Sequence, residues 1–68
     1  MIEVRSSNLR AVEYNPSTHT LTIWFRNGSV YEYYGVSQNI YDGLLLAQSK
    51  GRYHHRYIKN SYRYCRIR

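Results

Sequence analysis

The fold is decided by the run TLTIWFRNGSVYEYY at residues 20–34. Large apolar residues occupy every second position from Leu21 to Phe25, and threonine or tryptophan fills the positions between them. Such alternation is typical of a strand with one buried face. Asn27-Gly28 is a strong signal for a tight turn, and a second strand-like run follows it. The segment therefore predicts an antiparallel β-hairpin.

The length of the hairpin loop decides which side chains of the second strand face the core. A two-residue loop pairs Ile23 with Glu32 and places a carboxylate on the apolar face. A three-residue loop pairs Ile23 with Tyr31 and Leu21 with Tyr33. Because burying an unpaired carboxylate is costly, we predict the three-residue loop. Both tyrosines then face the core, although paired tyrosines on a sheet are also typical of a base-stacking platform.

The same register turns Trp24, Val30 and Tyr34 away from this core. Trp and Tyr are enriched at the energetic centres of protein interfaces. These three residues are therefore a candidate protein interface, unless a later segment of the chain covers Trp24, and the sequence leaves both alternatives open. An unpaired strand at the edge of the sheet would also permit self-association.

The flanking sequence predicts one more strand and two helices. Residues 10–14 alternate like a strand and extend the hairpin into a meander. Ser37 is a typical N-cap, and the apolar residues at helical spacing after it predict a helix that ends near Gly51. Residues 52–59 predict a second short helix, and residues 62–67 either a final strand or an extended tail.

The chain is long enough for one domain only, since 68 residues bury a small core. We therefore predict a single α+β domain over residues 1–68: a small three-stranded antiparallel β-meander packed against one helix, with a second short helix and a basic C-terminal segment. This length excludes a two-lobed enzyme, a Rossmann unit and a TIM barrel. A single cysteine and the lack of a long apolar run or signal peptide favour a cytoplasmic protein that contacts no membrane.

Positive charge is concentrated at the C-terminal end. The chain carries ten Lys and Arg against four Asp and Glu, a formal net charge of +6. The first 34 residues contribute none of this excess, because their arginines and glutamates are equal in number. The last nineteen residues hold seven cations interleaved with tyrosines and no acid. This pattern is typical of a surface that binds phosphates through cations and stacks unpaired bases on aromatic rings.

The candidate nucleic-acid contacts all lie in this stretch. They are Arg52, Arg56, Lys59, Tyr62, Arg63, Tyr64, Arg66 and Arg68. If the end of the chain is a strand, alternation places Tyr64 and Arg66 on one face and Arg63 and Cys65 on the other. The same cations would also suit an acidic protein partner or a solvated surface that keeps the protein soluble, and the sequence leaves these alternatives open.

Catalysis and metal binding have little support in the sequence. The four carboxylates are scattered one per segment, so they form no nuclease-type cluster. The adjacent side chains of His54 and His55 diverge on a helix, and together with Cys65 they lack the spacing of a metal site. We therefore expect a protein that is not an enzyme, with no cofactor and no metal.

An ordered set of motifs resembles one protein family. The set comprises Ser6-Ser7-Asn8, Tyr14, Leu21-x-Ile23-x-Phe25-x-Asn27-Gly28, Tyr31-x-Tyr33, Leu44-x-x-Ala47-x-Ser49-x-Gly51-x-Tyr53, Ile58, Tyr62 and Arg66. Over nearly the whole chain this order resembles the KTSC domain, which occurs at the C-terminus of some lysyl-tRNA synthetases and alone in bacteria and phages. The family has no established activity, and its attachment to a tRNA-charging enzyme suggests RNA binding. Ser37 stands where the family commonly has proline, and His54-His55 where an aromatic residue and asparagine are common.

Charge, aromatic content and the resemblance together predict a small non-catalytic nucleic-acid-binding module, with RNA favoured over DNA. The alternative is a protein-protein interaction module, such as a bacterial or phage-type modulator of a host protein, that uses the outward Trp24 face. The first hypothesis expects nucleic acid to bind the C-terminal half of the chain, and the second expects a protein to bind at Trp24.

Overall fold

The computed structural model describes all 68 residues as a five-stranded antiparallel sheet with helices packed on one face. In chain order the elements are β1 (Ile2–Glu3), β2 (Leu9–Asn15), β3 (Thr20–Phe25), β4 (Val30–Tyr33), α1 (Gln38–Leu46), α2 (Lys50–Tyr53), a π-helical turn (His54–Ile58) and β5 (Tyr64–Arg66). The strands lie in the sheet in the same order as in the chain. None of the helices is long and apolar enough to cross a membrane.

The α+β class is confirmed, but the sheet has five strands rather than three. β1 adds two residues at one edge, where the N-terminal amine forms a 2.9 Å ion pair with Glu13. β5 adds a strand at the other edge, so the end of the chain is a strand and not a loose tail. Both additions are too short to show a clear alternating pattern, so the sequence does not predict β1 and leaves β5 as one of two alternatives.

The hairpin has the predicted register. Ile23 pairs with Tyr31, and Leu21 pairs with Tyr33. Gly28 has a φ of +94°, a backbone conformation that glycine adopts at little cost, and its N–H closes the loop with a backbone hydrogen bond of 3.0 Å. The three-residue loop therefore places both tyrosines on the helix-covered face of the sheet.

Buried residues from the sheet and the helices form one core. They are Leu9, Val12, Leu21, Ile23, Phe25, Tyr33, Val36, Tyr41, Leu44 and Ile58. At the rim, Tyr14 stacks on Tyr41 with ring centroids 4.7 Å apart and donates its hydroxyl to the carbonyl of Val36 at 2.5 Å. Ser37 caps α1 as predicted, because its hydroxyl accepts the N–H of Ile40 at 3.3 Å. These contacts anchor α1 to the sheet.

The first helix is shorter than predicted, and the second begins earlier. α1 ends at Leu46 rather than near Gly51, because Ala47 leaves the helix with an extended backbone. Ser49 then caps α2, and its hydroxyl accepts a backbone N–H of the first turn at 3.3 Å. Lys50 folds back and donates to two carbonyls at the end of α1, at 3.0 and 3.1 Å. Gly51 therefore lies inside the second helix and does not end the first.

Of the two alternatives for Trp24, Val30 and Tyr34, the structure does not show the continuous exposed patch. Val30 is buried, with 5% of its surface exposed, and Trp24 is half buried. Ala11 and Val30 pair with Trp24 from the two neighbouring strands, so the indole shields two smaller side chains. The chain end also runs beside Val30, whose carbonyl accepts the N–H of Ile67 at 2.7 Å. Of the three, only Tyr34 is exposed.

Candidate functional site

A cleft of about 320 Å³ opens between the β4–β5 edge of the sheet and the helical segment that follows α1. We call it the tyrosine cleft, and the rings that line it are Phe25, Tyr31, Tyr33, His54, His55 and Tyr64. The centroid of the Tyr31 ring lies 5.7 Å from the centroids of both Phe25 and Tyr64. Strand pairing sets this arrangement, because Tyr33 on β4 is the direct partner of Tyr64 on β5.

The floor of the tyrosine cleft is an uncharged, hydrogen-bonded pair. The hydroxyl of Tyr33 lies 2.8 Å from Nε2 of His54, and both residues are buried. Burial, with smaller contributions from Lys59 and His55, lowers the pKa of His54 to about 4. Burial also raises the pKa of Tyr33 to about 12, so neither group carries a charge at neutral pH. Tyr33 is a core residue as predicted, whereas Tyr31 is half buried and lines the cleft.

One cation lines the tyrosine cleft and a second lies over one of its rings. Lys59 lines it, and the guanidinium carbon of Arg66 lies 6.0 Å from the centroid of the Tyr31 ring. The side chain of Tyr64 beside them is 57% exposed. Uncharged amide side chains complete the rim, and no carboxylate lines the cleft. The cleft is therefore aromatic and neutral inside and positive at its opening.

A second groove, of about 640 Å³, joins the tyrosine cleft at Gly51 and His55, which line both. Arg52 and Arg56 line this second groove. One continuous surface thus carries five of the predicted nucleic-acid contacts: Arg52, Arg56, Lys59, Tyr64 and Arg66.

The other three predicted contacts line neither groove. Tyr62 is half buried and packs against the core, so it offers little ring surface. The carbonyl of Arg63 accepts the N–H of Tyr34 at 2.9 Å, and strand alternation turns the Arg63 side chain to the face away from the tyrosine cleft. Arg68 ends the chain, and its carbonyl accepts from Nε of Arg66 at 3.1 Å. The basic C-terminal segment is therefore divided between the two faces of the sheet.

The face of the sheet that lies away from the helices carries the acidic residues of the strands. Glu13 and Glu32 flank Thr22 in the sheet register. Glu3 pairs with Ala11 on the same face. Acidic side chains thus lie on one face of the sheet, and the cations of the tyrosine cleft lie on the other.

Sequence reasoning missed the polar lining of the cleft. Asn8 and Asn60 lie on loops, where side-chain spacing carries no structural signal. His54 was weighed only as half of a metal-binding pair. Its spacing of four residues from the buried Ile58 is a helical signal that both side chains face the core, and this signal was available in the sequence.

Comparisons with known proteins assign this fold. The family profile of the KTSC domain matches residues 5–62. The crystal structure of a KTSC domain protein from Yersinia pestis matches with a TM-score of 0.92 and 33% sequence identity, over 97% of this chain and 93% of that chain. A protein of Tsukamurella paurometabola is 36% identical over 63 residues, which cover 93% of this chain and 94% of that protein.

The chain is also similar to part of a much larger protein. A lysine–tRNA ligase of Nostoc sp. is 39% identical over 64 residues, which cover 94% of this chain but only 11% of the ligase. The chain thus spans about a tenth of the length of that relative. The profile, the crystal structure and the relatives agree, and the chain belongs to the KTSC domain family.

Proposed function

We propose that this domain is a small non-catalytic nucleic-acid-binding module that favours single-stranded RNA. The observation that carries the proposal is the tyrosine cleft, which the exposed ring of Tyr64 lines together with Lys59, and where Arg66 lies over the ring of Tyr31. Stacking of an unpaired base on an aromatic side chain contributes about 1–3 kcal/mol. Cations at the opening attract the phosphates of the same strand. A strand that places one base in the cleft brings its backbone to these cations.

The dimensions of the tyrosine cleft favour a single strand over a duplex. A cleft of about 320 Å³ suits an isolated ring and excludes a base pair held in a helix. Sequence-specific RNA recognition commonly splays out unpaired bases and stacks them on aromatic side chains. The similarity to part of a lysine–tRNA ligase supports RNA over DNA, because that relative is a ligase for tRNA.

The second groove extends the proposed path of the strand. Arg52 and Arg56 lie beyond Gly51 and His55, where phosphates of the neighbouring nucleotides would pass. Arginine suits this role because its planar guanidinium binds phosphate through two hydrogen bonds. The acidic residues on the opposite face of the sheet repel phosphates, so we expect the strand to bind one face only.

A protein-protein interaction module is the alternative, with less support. Because Val30 is buried and Trp24 is half buried, the outward face offers no continuous apolar patch of the expected kind. An acidic protein partner would use the same cations as RNA, and it would be distinguished from RNA by the loss of binding to labelled single-stranded RNA. A cytoplasmic location, expected from the composition, is compatible with either function.

Two arginines from the same part of the chain provide a matched test. A labelled single-stranded RNA is titrated with protein over a salt series, and binding is followed by fluorescence anisotropy. We expect Arg66→Ala to weaken binding and to reduce the slope of log K against log salt by about 0.7, the value for one lost phosphate contact on a single strand. Arg63→Ala removes the same charge from the opposite face, and we expect it to change neither the affinity for RNA nor the salt slope.

Two exposed tyrosines provide a matched test of stacking. Tyr64 and Tyr34 are 57% and 39% exposed, but only Tyr64 lines the tyrosine cleft. We expect Tyr64→Ala to weaken RNA binding about 5- to 150-fold with no change in the salt slope, and Tyr34→Ala to have little effect. Equal losses for Arg66→Ala and Arg63→Ala, with no loss for Tyr64→Ala, would indicate binding by charge alone and contradict this site.

A further inference from the structure

The floor of the tyrosine cleft holds a hydrogen-bonding atom that the chain itself does not use. His54 is buried, with 6% of its surface exposed, and its Nε2 lies 2.8 Å from the hydroxyl of Tyr33. Its other ring nitrogen, Nδ1, makes no hydrogen bond within the chain, yet no side-chain nitrogen or oxygen is both buried and without a partner. Nδ1 therefore reaches the surface, and the groove that His54 lines is the tyrosine cleft.

The hydrogen bond to Tyr33 determines which nitrogen of His54 carries the proton. Burial raises the pKa of Tyr33 to about 12, so the hydroxyl keeps its proton at neutral pH. Nε2 is the only hydrogen-bond partner of this hydroxyl within the chain, and Tyr33 is 3% exposed. If Nε2 were protonated, it would donate to the hydroxyl oxygen, and the hydroxyl proton would be buried without an acceptor. The hydroxyl therefore donates to Nε2, and the proton of the neutral imidazole is on Nδ1.

An N–H group at the floor of an aromatic cleft restricts what the cleft binds well. The walls are aromatic rings, and the imidazole is uncharged at neutral pH because burial lowers the pKa of His54 to about 4. A ligand that displaces water from an N–H group loses affinity unless it supplies an acceptor in return. A flat ring with a carbonyl oxygen or a ring nitrogen on its edge can both stack and accept, whereas an apolar ring can only stack.

We propose that Nδ1–H of His54 donates a hydrogen bond to an acceptor on the edge of the base that enters the tyrosine cleft. Tyr33 is a positioning residue, because it keeps Nε2 unprotonated and so directs the proton to Nδ1. Every RNA base carries an acceptor on its edge, so this contact distinguishes a base from an apolar ring and not one base from another. The inference rests on the proposed function and adds to it an uncharged binding residue whose donor is set by a buried neighbour.

The tautomer of His54 is measured in the free protein, without a ligand. Long-range proton–nitrogen correlation NMR of the imidazole rings identifies the protonated nitrogen, and the exposed His19 and His55 serve as internal references. We expect Nδ1 of His54 to carry the proton at neutral pH. Tyr33→Phe should allow Nε2 to be protonated, whereas Tyr31→Phe, which removes a hydroxyl that does not bond to His54, should leave the tautomer unchanged. A proton on Nε2 in the native chain would overturn the inference.

Two labelled RNAs measure the contact between His54 and the base. In each strand only the central residue carries a ring, which is either uracil or difluorotoluene, an analogue of similar shape without a strong acceptor; the other residues are abasic. We expect His54→Phe to lower the ratio of the affinities for uracil and difluorotoluene about 2- to 10-fold, the value for one hydrogen bond between uncharged groups. The salt slope should stay unchanged, because no charge is removed. His19→Asn removes an imidazole that lines neither groove, and it should keep the ratio.

Tyr33→Phe is the second variant of this experiment, because His54→Phe leaves the hydroxyl of Tyr33 without a partner and could unfold the domain. Tyr33→Phe should also lower the ratio, although its own hydroxyl does not bind the base, and circular dichroism verifies the fold of each variant. A ratio that stays at the native value in folded variants of both residues would overturn the contact and leave nucleic-acid binding intact. No binding of any RNA at low salt would overturn both proposals.

Discussion

The contact between Gly43 and Tyr53 leads to a prediction that opposes helix propensity. Gly43 lies within α1, where replacing glycine by alanine normally stabilises a helix by about 1 kcal/mol. Here the ring of Tyr53 lies against Gly43, and its hydroxyl donates to the carbonyl of Ile40 at 2.9 Å. A Cβ at position 43 would collide with that hydroxyl and lie 2.8 Å from the ring carbon Cζ. A side chain at position 43 therefore fits only if the ring of Tyr53 is displaced.

We expect Gly43→Ala to lower the free energy of unfolding by about 1–3 kcal/mol. An extra methyl group in a well-packed site costs about 1–3 kcal/mol. Displacing the ring also gives up the hydrogen bond between Tyr53 and Ile40, which contributes about 1 kcal/mol. The gain in helix propensity offsets about 1 kcal/mol of this loss. For a domain of this length, the net change lowers Tm by roughly 5–20 °C.

Urea denaturation followed by circular dichroism measures this change, and a double-mutant cycle assigns it to the contact. Tyr53→Leu removes the hydroxyl and the ring carbon that a new Cβ would meet. In that background we expect Gly43→Ala to stabilise the protein through its helix propensity. A Gly43→Ala protein that is as stable as the native chain, or more stable, would refute the close-packing argument.

Two further predictions concern the helical segment after α1. Lowering the pH from about 6.5 to about 4 should lower the free energy of unfolding, because His54 of the unfolded chain binds a proton in this range while the buried imidazole, with a pKa of about 4, resists it. Urea denaturation at several pH values measures this dependence. His54→Gln should reduce the change in the free energy of unfolding with pH, and His55→Gln should leave it as in the native chain. The same pH profile in both variants would contradict the assignment of this effect to His54. Ser49→Ala should lower the free energy of unfolding by about 1 kcal/mol, because α2 loses its N-cap. A loss no larger than that caused by Ser7→Ala would argue against this role of Ser49.

The hairpin was predictable because local chemistry determines it. The alternation from Leu21 to Phe25 identifies one apolar face, and only a three-residue loop keeps Glu32 off that face. The positive φ of Gly28 is the conformation that this loop requires. Each of these constraints acts within fifteen residues of sequence, so no distant contact was needed to choose among them.

The boundary between the two helices could not be predicted in the same way. Ser49 and Gly51 carry competing signals, since serine is typical of a helix start and glycine of a helix end. In the structure a new helix begins after Ser49, and contacts between residues distant in the sequence stabilise it. Tyr53 of α2 packs on Gly43 of α1, and His54 bonds to Tyr33 of β4. Both contacts join different elements of the fold, so periodicity along one helix does not contain them.

The candidate site was predictable in composition but not in position. Basic and aromatic residues at the end of the chain indicated a surface for phosphates and bases, and Lys59, Tyr64 and Arg66 do meet at the tyrosine cleft. Tyr62, by contrast, packs against the core. The amides of the rim come from loops far apart in the sequence, and only the fold brings Asn8 near the others.

The register of β5 determines how the basic chain end is used. Side chains alternate along a strand, so pairing Tyr64 with Tyr33 places Arg66 opposite Tyr31 and leaves Cys65 opposite Glu32. A shift of one residue would turn Tyr64 and Arg66 to the acidic face and remove the cation from the mouth of the cleft. The net charge of the segment would be identical in both registers. A difference between Arg66→Ala and Arg63→Ala in RNA binding therefore tests strand pairing and binding site together, because composition alone predicts equal effects.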